Sequence, residues 1–156
     1  MKFQQKINGA FQVNDDLAKS LSFDNAEQLR TALIIHINKH SKSTRITHFE
    51  TQVWVNILVL HFFRLVCVDH QSEWKETYLR SYRWLWGQFK SKVQIEEETF
   101  EIIKSYVKER YKVNEDAIEL DKNFISTISE EINSVRKGSR EITLGSGSVS
   151  GKDYNF

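Results

Sequence analysis

The chain has 156 residues, 40% of them hydrophobic and 28% charged, with a formal net charge of +1. That is the make-up of one globular domain able to bury a core of its own, and it excludes a global electrostatic attraction to nucleic acid or to an anionic membrane. Proline is absent and four of the six glycines lie after residue 137, so the body lacks the turn punctuation of an all-β fold and is predicted to be all-α.

Residues 1–13 read as an irregular or extended lead turned at Asn8-Gly9, without the apolar stretch of a signal peptide. Asn14 caps a short helix over 15–21, with Asp15 and Asp16 at its positive end. Asp24 followed by Glu27 makes a capping box and opens a helix to about His40, with Leu29, Leu33, Ile34 and Ile37 on one stripe. A loop over 41–45 leads into the most hydrophobic stretch, THFETQVWVNILVLHFFRLVCVDH at 47–70, whose apolar residues wrap nearly the whole helical circumference. Thr47 and Glu50 form a further capping box, so the expectation is a buried central helix over about 47–70 surrounded by the others. Asn56, His61 and Arg64, in a run short of the roughly 20 residues a bilayer needs, speak against a membrane span. The single cysteine, Cys67, lies in this run and reads as an inert packed thiol; a lone cysteine suits a reducing, cytoplasmic compartment.

Ser72 caps the next predicted helix, to about Lys92, in which Trp74, Tyr78, Tyr82, Leu85 and Phe89 recur every three or four residues and should face the central helix. At roughly 100° per residue, Trp84 falls off that stripe, among Arg80, Arg83 and Glu76, while Trp86 lies on its flank. A helix from Glu96 to about Lys112 carries acids at its start and Lys108, Arg110 and Lys112 at its end, with Phe100, Ile103, Val107 and Tyr111 inward. A last helix over 114–137 places Ile118, Ile125, Ile128, Ile132 and Val135 on one side for docking onto the same bundle, with Gly138 as its stop. The domain is therefore expected over 1–138, as a single bundle of about six helices. Residues 139–156, containing GSGSVSG, are expected to form a flexible or disordered tail.

Chemistry-bearing constellations are sparse. His36 and His40, one turn apart, could share a face, but zinc needs a third protein ligand and neither H-E-x-x-H nor paired C-x-x-C occurs, so no metal is assigned. His61, inside the apolar run, reads as a hydrogen-bonded core histidine, and Glu96-Glu97-Glu98 as a solvated helix start. No phosphate-cradling glycine motif and no nucleophile elbow is present, and no cofactor or catalytic residue is assigned: the chain is read as not an enzyme. The basic and aromatic face over 80–92, with Trp84 and Trp86, gives the alternative of a small helical nucleic-acid-binding protein, although Glu73 and Glu76 share that helix.

The pieces FQQKINGAFQVNDDLAKSL at 3–21, VWVNILVLHFF at 53–63, Glu73-Trp74 and Trp84-Leu85 resemble, in order and spacing, the C-terminal domain of proteins built from VIT and von Willebrand factor A domains. Family members typically read Q-x-x-x-G-x-W/F, then a short "LA..L" helix, an apolar helix, E-W and W-L. The resemblance covers about residues 3–89; the chain carries no D-x-S-x-S metal-adhesion motif. It implies a helical interaction module. In the vault-associated poly(ADP-ribose) polymerase, which shares this organisation, the corresponding region binds the major vault protein. Carried over, it makes a protein partner the expectation, with the major vault protein as the specific candidate. Trp54 and Trp74 are expected in the core. Trp84, Arg80 and Arg83 are the candidate partner-binding residues, the competing reading being that Trp84 packs against the helix from Glu96 onward.

Overall fold

The computed structural model describes residues 3–41, 44–114 and 122–143. Its elements are the helices α1 (Asp15–Ser20), α2 (Ala26–His40), the single turn α3 (Thr44–Thr47), α4 (Thr51–Leu65), a 3-10 turn (Val68–His70), α5 (Gln71–Gln88), α6 (Val93–Arg110) and α7 (Lys122–Thr143). They make the all-α bundle expected from composition. At its centre stands α4, packed against α2, α5 and α6, and every residue from 53 to 63 is buried. The circumferential hydrophobicity of that stretch has its cause here: a helix surrounded on all sides has no polar face. No single helix among the described residues is long and apolar enough to cross a membrane.

The central helix is shorter than 47–70. Glu50 is its N-cap, with no side-chain capping bond, so the Thr47–Glu50 box does not start it. The break lets Phe49 fold back on Trp54, ring centroids 6.5 Å apart, and on Phe89 at 5.8 Å. On one continuous helix residues five apart point about 140° away from each other and could not meet. At the other end α4 stops at Leu65 and the chain turns by 88° into the 3-10 turn and α5. The corner needs no glycine, because Val66 and Cys67 both turn it at φ −102°, and the Trp74 indole N–H donates to the Cys67 carbonyl at 2.8 Å.

Smaller departures have equally local reasons. Asn14 caps α1 as predicted, accepting from the Leu17 amide. The cap of α2 is Asn25, not Asp24: its side chain accepts from the Gln28 amide, and the Gln28 side chain accepts from the Asp24 amide. On α2, His36 turns inward beside Leu29, Leu33 and Ile37, while Ile34 is exposed. Helix α5 begins at Gln71 straight out of the 3-10 turn, so Ser72 is not its cap. Its predicted stripe of Trp74, Tyr78, Tyr82, Leu85 and Phe89 is buried throughout, and Trp54 is buried as expected. Helix α7 docks along α5 through buried Ile128 and Val135, and it runs through Gly138 to Thr143. The expected stop at Gly138 is thus absent. Residues 139–143, expected to open the flexible tail over 139–156, are therefore the last residues of α7, so the helical domain extends past 138; the rest of that tail, 144–156, and the helical stretch expected over 115–121 lie outside the described residues.

Candidate functional site

Residues 3–13 contain no helix, yet they are fastened into the bundle. Gln5 and Phe11 pair across an antiparallel bridge, closing a small hairpin whose turn carries Gly9 at φ +98°. The Gln5 side-chain amide donates to the Gly9 carbonyl at 2.8 Å and to the Thr77 carbonyl on α5 at 2.9 Å. Gly9 lies directly against the Arg80 carbonyl, where a Cβ would collide, so the close approach and the left-handed backbone both require glycine. Phe3 and Phe11 drive edge-on into Phe63, at 5.2 and 5.9 Å.

The hairpin's deepest anchor is Asn56, fully buried on α4. Its Oδ1 accepts from the Phe11 amide at 2.8 Å and from the Ser81 hydroxyl at 2.9 Å, and its Nδ2 donates to the Gln52 carbonyl. One amide therefore joins hairpin, α4 and α5 with its hydrogen-bonding groups engaged on both ends. Gln5, Gly9 and Phe11, the three positions of the Q-x-x-x-G-x-F motif, are the residues that make these ties.

The hairpin sits beside the predicted partner residues. Arg80 is exposed, and its guanidinium makes long hydrogen bonds to the carbonyls of Lys6 and Ile7, at 3.5 and 3.4 Å. Arg83 and Trp84, three and four residues on, lie on the same side of α5. Both are half-buried, and Trp84 packs against the core cluster. Trp54, Trp74 and Trp86 retain 4% exposure or less, so Trp84 is the tryptophan left with an open surface. The structure adds a residue that the sequence reading passed over: Ile7, at the hairpin tip, is 96% exposed. Asn8-Gly9 signals the turn, but nothing local shows that the turn is pinned beside Arg80.

On the opposite flank of α5 the acidic run behaves differently from expectation. Glu96 is buried, not solvated. It accepts from the Tyr82 hydroxyl at 2.6 Å and is gripped by Arg136 of α7, whose Nη2 donates to Glu96 Oε1 at 2.8 Å and also contacts Oε2. Burial, with the Glu96 carboxylate beside it, holds the Tyr82 phenol far above its ordinary range, so it stays a donor. Trp86 stacks parallel to Tyr82 at 6.5 Å and lies under the Arg136 guanidinium. It is closed off as a stacking surface.

Two of the five histidines, His36 and His61, are working parts of the helix seams. His61 Nε2 meets the Phe100 carbonyl at 2.9 Å, and His36 Nε2 the Ile102 carbonyl at 3.0 Å, so each donates to α6 as its Nε2-protonated tautomer. Burial, reinforced by Arg64, lowers the His61 pKa to about 3; burial, with His40 nearby, lowers that of His36 against the opposing Ile102 hydrogen bond. His36 and His40 do share a face, rings 4.3 Å apart, but His36 spends its Nε2 on α6. Among the described residues no group of three or more His, Cys, Asp or Glu side chains could hold a metal ion. Cys67 is buried and burial pushes its thiol up to about 11, far from a reactive thiolate.

Comparison with family models, with curated proteins and with solved structures finds no match for this chain.

Proposed function

We propose that this chain is a non-catalytic protein-interaction and targeting module of the cytoplasm, which docks its carrier onto the vault ribonucleoprotein particle through the major vault protein. The observation that carries the reading is Trp84: it alone of the four tryptophans keeps an open surface, and it does so beside Arg80 and Arg83. Tryptophan and arginine are the side chains most enriched among the few that dominate protein interfaces. The resemblance to the VIT and von Willebrand factor A proteins gains support from the way Gln5, Gly9 and Phe11 act together in one fastening, as a motif with a structural job should. The nucleic-acid reading loses one of its two rings, because Trp86 is 2% exposed.

The test is co-sedimentation of the purified chain with intact vault particles in moderate salt, beside an unrelated helical bundle and the Trp84→Ala variant. Wild type is expected in the vault fraction and Trp84→Ala in the supernatant, with a thermal melt showing that the variant remains folded. No sedimentation above the unrelated bundle would remove the vault as partner. Loss of the fold in Trp84→Ala would reassign Trp84 to packing.

A further inference from the structure

Between residues 77 and 95 the sequence holds Arg80, Arg83, Lys90 and Lys92 and no aspartate or glutamate. Arg80, Lys90 and Lys92 are exposed, and Lys6 on the hairpin, also exposed, is tied to Arg80 through its carbonyl. Glu73 and Glu76 lie one to two turns before Arg80, which confines the basic surface to the C-terminal half of α5 and the loop after it. The open part of Trp84 lies in this acid-free stretch of chain, and the hairpin holds a second apolar side chain, Ile7, beside Arg80, with Glu50 near Lys6 as the carboxylate on its far side.

Ile7 is not a loose surface residue. The hairpin that carries it is fixed at Thr77, Arg80 and Asn56, so a β-branched side chain is held out at 96% exposure on a rigid support. A preorganised apolar contact loses little conformational entropy on binding, and basic groups around it select the partner's charge.

We propose that this surface, resting on the interaction-module reading above, takes an acidic protein segment: carboxylates set against Lys6, Arg80, Arg83, Lys90 and Lys92, flanking an apolar side chain that sits on Ile7 and Trp84. A single-stranded nucleic acid suits it less well, because Ile7 offers no π face and Trp86 is covered.

The test is selection of random displayed peptides on the full chain, followed by titration of the winners, and of a single-stranded RNA, against wild type, Ile7→Ser and Lys6→Glu. Ile7 and Lys6 are exposed, so both variants are expected to melt with wild type. The expected winners are rich in Asp and Glu around an aliphatic or aromatic residue. They should bind each variant about tenfold more weakly and shift the Trp84 indole resonance. Selection of neutral or basic peptides, no selection, peptides that bind Ile7→Ser as well as wild type, or RNA binding tighter than the peptides would each overturn the proposal. The vault experiment fails separately: absence of vault binding with acidic peptides selected discards the partner and keeps the surface, and vault binding unaffected by Ile7→Ser does the reverse.

Discussion

Residues 3–13 form no helix, whereas α7 runs for 22 residues, yet it is the irregular segment that reaches the centre of the molecule. The hairpin ends in Asn56, a neutral amide 0% exposed, and in the backbone carbonyls of α5. Helix α7 meets the outside of α5 through a stripe of Ile128, Ile132 and Val135, and the polar ties it makes are charged ones, Arg136 on Glu96 and Lys75 on Glu131. Arg136 keeps 26% of its side-chain surface. How firmly a segment is held follows from where its polar groups terminate and how dry that place is, not from how regular its backbone is.

At neutral pH the largest effect should come from the hairpin's anchor. Asn56→Ala leaves the Phe11 amide and the Ser81 hydroxyl buried without their acceptor, and is expected to lower stability by about 3 kcal/mol in urea denaturation. Gly9→Ala should act in the same direction, through its left-handed backbone and its contact with Arg80. If either is neutral, the hairpin is an ornament and the comparison fails. Arg136→Ala, at the other fastening, strands a buried carboxylate with Tyr82 as its remaining side-chain donor. Because water can reach the site, the expected loss is smaller, about 2 kcal/mol.

Acid should distinguish a third kind of joint. His61 binds α6 as a neutral ring, with a pKa lowered from 6.5 to about 3. Between those values the unfolded chain binds the proton that the folded one refuses, so stability is complete above pH 6.5 and falls as pH drops towards 3. The steepest slope is about 1.4 kcal/mol per pH unit. His61→Gln, which can still donate to Phe100, is expected to flatten the curve of stability against pH in that window. An unchanged curve would place the acid sensitivity elsewhere. The smallest effect concerns two glycines that no turn or close contact requires. Gly87 and Gly138 are helical with open space around them, and alanine at either should raise stability by about 0.5–1 kcal/mol, read as a rise in Tm.

The parts of the fold legible in advance are those written in local pattern. The stripe from Trp74 to Phe89, the Asn14 cap and the Asn8-Gly9 turn each depend on residues a few positions apart. The breaks at either end of α4 are not written that way, because the hydrophobic pattern continues through both and is interrupted by no glycine or proline. Chain direction there is set by Phe49 meeting Phe89, a contact across 40 residues. Glu96 misleads for the same reason: three acids at a helix start look solvated, and the arginine that buries the first of them comes 40 positions later. Gly138 misleads in the opposite sense: glycine's helix penalty is only about 1 kcal/mol, and α7 continues through it to Thr143. Of the candidate site, Arg80, Arg83 and Trp84 are found by helical periodicity alone. Ile7 is not, because its position beside Arg80 depends on a hairpin fastened by residues about 45 to 74 positions distant.

Native-state hydrogen exchange tests most directly whether the hairpin is a fixed part of the core that presents this surface. The Phe11 amide, bonded to Asn56, is expected to exchange only through global unfolding, together with the amides of α4, while those of α7 around Ser134 open at lower free energy. A Phe11 amide that exchanges through a small local opening, faster than α7, would contradict that fastening.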